Sequence, residues 1–210
     1  MTDGINRLLE KNKEEILNLG RRLFETPELG YKEYKTREIL LSYIKDVELT
    51  GFEPYAITGF KATIGEGSPH IALLFDMDAL PTKGHKLAAN EDLAAHSCGH
   101  NAQMALMAAA FKAIYESGLL KETGGALSLM AAPAEEFVDF DYRKNLMKER
   151  KIKTFSGKQN MIAAGAFDNI DLVIGSHGNG LPGAVIETGT ATNGFIAKTA
   201  IFKGVSAHSG

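Results

Sequence analysis

Three short apolar runs constrain this chain more than anything else in it: HIALLFDMD at 70–78, ALSLMAAP at 126–133 and DLVIGSH at 171–177. Each is apolar almost without interruption, where a strand with one wet face would alternate, and that is the pattern of a strand buried on both sides. Such strands need helices above and below them, so the chain is predicted to form a layered α/β sheet. Each run also ends in polar chemistry. Asp76 and Asp78 close the first, Glu135 and Glu136 follow Pro133 after the second, and His177 closes the third. In open α/β sheets, sites gather beyond the carboxyl ends of the strands.

The helices are legible by period. Ile5, Leu8, Leu9, Ile16, Leu19 and Leu23 recur at nearly helical spacing, and Thr36, Ile39, Leu40, Tyr43, Ile44 and Val47 repeat the pattern. Two amphipathic helices are expected, with Pro27 and Gly30 between them. Short β-like runs follow at 51–57 and 60–64. Over 98–115, Ala102, Ala105, Leu106, Ala109, Ala110 and Ala113 fall on one helical face, so HSCGHN (96–101) sits at or just before a helix start. Residues 140–158 are strongly charged and read as a solvated helix plus a loop. The glycine-rich stretch 175–194 reads as a connection, and GFIAKTAIFKGVSAHSG after it begins like a strand.

At 210 residues the chain can bury one sizeable core. Net charge is -3 with acids and bases interspersed, and no basic run is long enough to track a phosphate backbone, which argues against nucleic acid as a partner. No apolar stretch approaches a bilayer span, and the first twenty residues lack the apolar core of a secretory signal, so a cytoplasmic protein with no membrane partner is expected. The single cysteine fits a reducing compartment.

That cysteine, Cys98, lies between His96 and His100. A thiol and an imidazole so close are a nucleophile with its base, a pair of metal ligands, or a coincidence. Taken singly, the candidates have plain readings: Asp76 and Asp78 as turn residues, Cys98 as a small buried side chain, Glu135 and Glu136 as surface charges, His177 as a loop histidine. Together, a thiolate, imidazoles and carboxylates at element ends form a metal-ligand inventory suited to zinc. Adjacent glutamates suggest a division of labour in which one binds metal and the other takes a proton from water, provided that they lie in an irregular loop. A Cys98–His100 nucleophile pair lacks an orienting third group and leaves the paired carboxylates unexplained.

The ordered set FETPELGYKEYKT, DMDALPT, HSCGHNAQM, APAEE and GSHG resembles the dinuclear metallo-amidohydrolases that include aminoacylases, indole-acetyl-amino-acid hydrolases, aminobenzoyl-glutamate hydrolases and carboxypeptidase G. The resemblance implies a three-layer α/β/α zinc-peptidase-like catalytic domain with an inserted α+β lid or dimerisation domain. On this chain those would be 1–188, incomplete, and 189–210, the beginning of the lid. It implies Cys98, His100, Glu136 and His177 as ligands of two divalent metal ions, zinc by donor softness, with manganese, cobalt or nickel as alternatives. Glu135 would be the general base, Asp78 would orient a ligand or the water network, and His208 would polarise the substrate carbonyl from the partner of a homodimer. His96 is expected to be structural or to stand behind the ligands. The implied reaction is hydrolysis of the amide of an N-acyl amino acid or dipeptide by a metal-activated water.

The chain departs from the pattern at three points. Asn101 stands where aspartate is usual and Gln103 where histidine is common, and the charged segment FVDFDYRKNLMKERKIKTFSGKQ is longer than in compact members. The family's last metal-binding histidine lies downstream of these residues, so the chain is expected to be an amino-terminal portion, with a catalytically silent metal-binding fragment of such an enzyme as the alternative reading.

Overall fold

The computed structural model describes residues 2–178, together with 186–189, 194, 198, 200, 202–205 and 207–208. The chain divides into two units, Met1–Gly178 and Asn179–Gly210. The strand expected from Gly194 onward falls largely outside the described residues.

In the first unit the elements run α1 (Thr2–Lys11), α2 (Lys13–Phe24), α3 (Tyr34–Tyr43), β1 (Gly51–Tyr55), β2 (Gly59–Glu66), β3 (His70–Asp76), β4 (Leu80–Pro81), β5 (Ala94–Ala95), α4 (His100–Ser117), α5 (Leu119–Thr123), β6 (Gly125–Ala132), α6 (Phe140–Lys148), α7 (Gly157–Ala163) and β7 (Leu172–Gly175). Five strands form one mixed sheet in the order β1-β2-β6-β3-β7. β1, β2 and β6 pair antiparallel, whereas β3 runs parallel to β6 on one side and to β7 on the other. Asp76 therefore lies level with Ala132, and Leu74 with Gly175. The carboxyl ends of the three strands read from sequence share one edge of the sheet.

Alternate side chains of β3 and β6 serve opposite faces. Leu73, Phe75, Leu127, Leu129 and Ala131 pack with Leu19, Leu23, Leu40, Met104 and Phe111 beneath the amino-terminal helices and α4. Ala72, Met130 and Ala132 pack with Met161 and Ala166 on the other side. Every residue of β6 is buried, as its unbroken apolar run predicts. β7 is different. All four of its residues are exposed, because it lies at the sheet edge and pairs with β3 alone among the described strands.

Three other expectations change. The helix predicted over 5–23 breaks at Asn12, although the Asn12 N–H still reaches Leu8 O and Ile16 N–H still reaches Asn12 O. α4 buries Met104, Met107, Ala108 and Phe111, while Ala102 and Leu106 face outward. Its sequence is apolar nearly all round, so spacing alone does not choose a face. The charged segment 140–158 is not simply solvated, since Arg143 of α6 is completely buried.

Leu129 and Leu106 should separate sharply on truncation. Leu129→Ala is expected to lower the unfolding free energy by about 2–5 kcal/mol, and Leu106→Ala, more than half exposed, by under about 1 kcal/mol. Urea midpoints compared at constant slope test both.

Candidate metal centre

The chain leaves β6 through Pro133–Glu136, a loop fixed from its backbone outward. Ala134 N–H donates to Glu33 Oε1 at 2.8 Å, Glu135 N–H to Asp78 Oδ1 at 3.0 Å, and Glu136 N–H to Asp78 Oδ2 at 3.0 Å. Three successive amides are thus taken by two buried carboxylates. The carbonyl side is held by Arg143, which donates to Phe155 O at 2.9 Å, to Ala134 O at 3.5 Å and to Glu136 O. Glycines allow the close approach. A Cβ on Gly30 would meet Arg143 Nη2 at 2.6 Å and Ala134 at 2.7 Å, and one on Gly157 would strike Pro133 O. Ala134 has φ 50°, so the loop is not strand, and the neighbouring glutamates aim at different partners.

α4 begins at His100, entered through Gly99 at φ 84°. The His100 Nδ1–H donates to Asp78 O at 2.8 Å, because a carbonyl only accepts. Its Nε2 lone pair is thereby turned inward, buried and without a hydrogen-bond partner among the described residues. His177 repeats the arrangement: Nδ1–H donates to Gly178 O at 2.8 Å, and Nε2 lies 3.3 Å from Cys98 Sγ. The two rings meet edge to face with centroids 5.8 Å apart. Donor atoms of Cys98, His100 and His177 all lie within 4.8 Å of one another. Imidazoles whose Nδ1–H is tied to a fixed acceptor, with Nε2 free, are oriented as metal ligands are.

The carboxylates surround this group. Glu136 lies against the Cys98 thiol, and its Oε1 is buried with no hydrogen-bond partner among the described residues. Glu135 Oε2 is 4.0 Å from His100 Nε2. Asp76, His100 and Glu135 form a second group whose donor atoms lie within 4.8 Å of one another. Burial, then the charge and hydrogen bond of Glu136 and the charges of Glu135 and Asp76, push the Cys98 thiol up to about 12. A thiol so placed is neutral at physiological pH, the reverse of the electropositive setting that activates a cysteine nucleophile. A divalent cation would relieve the same repulsion, so the orphaned Nε2, the orphaned Oε1 and the disfavoured thiolate all fit a metal.

His96 is buried with neither ring nitrogen hydrogen-bonded among the described residues, and burial followed by the His100 charge lowers it to about 4, so it is neutral. It is in neither donor group. His208 lies in the Asn179–Gly210 unit and is likewise in neither group. The two single-residue departures from the family pattern carry hydrogen bonds. Asn101 Nδ2 donates to Gly20 O at 3.3 Å, tying α4 to α2, while Gln103 accepts from Asp76 N–H at 3.0 Å and donates to Ser176 O at 2.5 Å.

Sequence reasoning passed over Glu33, Arg143 and Lys158. Lys158 Nζ lies 2.8 Å from Asp76 Oδ1, 3.0 Å from Asp76 Oδ2 and 3.8 Å from Glu135 Oε1. Arg143 and Lys158 come from the charged segment, where one cation among many carries no mark of burial. Glu33 sits inside the FETPELGYKE motif, and that placement was the available signal.

A mixed sheet between helical layers, with its parallel strands ending at one edge, is a fold that this chain shares with solved structures. A solved structure from methicillin resistant Staphylococcus aureus matches with TM-score 0.66 and 27% identity, over 84% of this chain and 42% of that one. The YXEP protein of Bacillus subtilis, described as a dinuclear metal binding peptidase from M20 family, matches with TM-score 0.61 and 23% identity, over 81% of this chain and 44% of that one. In sequence, the chain is related to amidohydrolases and peptidases of the kind its motifs resemble. IAA-amino acid hydrolase ILR1-like 6 of Arabidopsis thaliana is 31% identical over 195 residues, 88% of this chain and 36% of the relative. The chain thus spans about a third of the length of the plant hydrolases it matches. No family model matches it.

Burial, and for Glu33 the neighbouring Asp78 charge, raise the pKa of both carboxyls under the loop. An acid raised on folding stabilises fully below its unfolded pKa, near 4, and that contribution is lost as pH climbs through the folded value. Glu33→Gln can still accept from Ala134 N–H. In metal-free protein, its unfolding free energy should therefore fall less between pH 5 and pH 8 than that of the parent, measured by urea unfolding at each pH. An equal fall in both proteins would contradict the assignment.

Proposed function

We propose that this chain carries the catalytic centre of a metal-dependent amidohydrolase that cleaves the amide bond of an N-acyl amino acid or dipeptide-like substrate. The observation that carries the reading is the convergence of Cys98, His100 and His177, with each Nδ1–H given to a backbone carbonyl and each Nε2 left towards the cluster. The hydrolase names of its relatives supply the reaction class. Cys98, His100, Glu136 and His177 would hold two divalent ions, with zinc favoured by a thiolate and imidazoles and manganese, cobalt or nickel as the alternatives.

When bound, the ions polarise the scissile carbonyl and lower the pKa of a water towards about 7. The remaining work belongs to the chain. Glu135, with its side chain 37% exposed at the edge of the cluster, accepts the water proton on a carboxylate oxygen and delivers it to the departing amine nitrogen. Asp78 holds the backbone of both glutamates, so that the base and the ligand keep their separate directions. In this reading residues 1–188 form the catalytic domain and 189–210 begin a lid. His208 would reach the substrate carbonyl across a homodimer, in a cytoplasmic setting.

Elemental mass spectrometry after dialysis tests the metal assignment. The chain should retain divalent metal, and a Cys98→Ser, Glu136→Ala variant should lose it. Absence of metal from the parent would overturn the reading. Glu135→Gln should keep the metal while hydrolysis across a panel of N-acyl amino acids and dipeptides falls by roughly 10²–10⁴-fold. Loss of metal in that variant would move Glu135 from base to ligand.

A further inference from the structure

The two donor groups share His100 but differ in what already occupies them. The Lys158 ammonium bridges both oxygens of Asp76 and lies 3.8 Å from Glu135, so it is seated in the second group. It is not a loose surface lysine. The preceding residue, Gly157, is the glycine whose Cβ would strike Pro133 O, and its N–H donates to Ala134 O at 3.3 Å. The backbone bearing Lys158 is therefore seated on the same loop that bears Glu135. Asp76 in turn is buried at the end of β3, with its own N–H held by Gln103. Cation and carboxylates are both fixed from below.

We propose that Lys158 is a tethered cation that keeps divalent metal off Asp76 and Glu135, confining metal to the Cys98, His100 and His177 side and leaving Glu135 uncoordinated for proton transfer. This rests on the metal-dependent reading above and explains a division of labour that the adjacent glutamates alone do not. Without an occupant, the carboxylates of Asp76 and Glu135 are close enough to the His100 Nε2 to draw an ion there towards themselves, in competition with Cys98 and His177. A divalent ion entering there must either drive the ammonium off Asp76 or accept its repulsion at short range, where screening by salt is weak. The Cys98 side pays no such penalty. Lys158 is a positioning residue in this scheme, acting through the carboxylates it occupies.

The test is the zinc bound at one fixed free Zn²⁺ well below saturation of the parent, by equilibrium dialysis of the full chain and of Lys158→Met and Lys158→Arg variants, with circular dichroism to verify folding. With Asp76 and Glu135 freed to join the ion at His100, Lys158→Met is expected to hold at least about threefold more zinc than the parent at that free Zn²⁺, and Lys158→Arg the same amount as the parent. A parent and a Lys158→Met variant that bind zinc identically would overturn the proposal while leaving the metal site intact. Loss of zinc on Lys158→Met would overturn it too, making the lysine a support for the ligands. If no form binds zinc, the metal reading falls and takes this inference with it. Should Lys158→Met not fold, Lys158→Gln serves the same comparison.

Discussion

The site depends on three consecutive backbone amides, those of Ala134, Glu135 and Glu136, being held by the carboxylates of Glu33 and Asp78. A loop leaving a buried strand exposes donors that water no longer reaches, and each left unpaired would cost on the order of 1–3 kcal/mol. Using carboxylates for this purpose is itself costly, because two acids buried side by side disfavour each other's charge. The return on that cost is direction. With its amides fixed, the loop sends Glu135 towards His100 and Lys158, and Glu136 towards Cys98. Asp78 acts twice, since its own carbonyl oxygen accepts the Nδ1–H of His100 and so sets the tautomer of that ring.

The same economy appears in the core. β6 serves both faces of the sheet and pairs with β2 and β3, so the strand that delivers the glutamates is also the one most thoroughly enclosed. A site mounted at the end of such a strand inherits its rigidity. The helices divide the remaining duties: α4 brings His100, α6 brings the arginine that holds the loop carbonyls, and α7 brings the lysine that balances its acids.

Much of this was legible in the sequence. Unbroken apolar runs announced β3 and β6 because burial on both faces leaves no room for alternation, and the groups at their ends marked the edge where the site lies. Cys98, His100 and His177 do converge, as their placement at element ends suggested, and Glu135 and Glu136 occupy an irregular loop as a divided role requires. What escaped were features with no local signature. The burial of Arg143 follows from carbonyls of Ala134 and Glu136 that fold back onto it, which no spacing reveals. The outward face of α4 was hidden because alanine and methionine surround the whole helix. β7 resembled its partners in composition, yet its exposure is a matter of position in the sheet and not of residue type.

Gln103 has a further meaning. One of its amide atoms accepts from Asp76 at the end of β3, and the other donates to Ser176, the residue before His177. It stands on α4, one turn beyond His100. The helix that carries one imidazole therefore also sets the height of the other, through a single side chain spanning two strand ends. His100 is also tied to Asp78, whose carboxylate holds the glutamate loop, so both imidazoles and both glutamates are referred to one frame. The mechanical unit of this centre is thus a single frame, in which Gln103 links the two histidine-bearing elements and Asp78 links them to the glutamates.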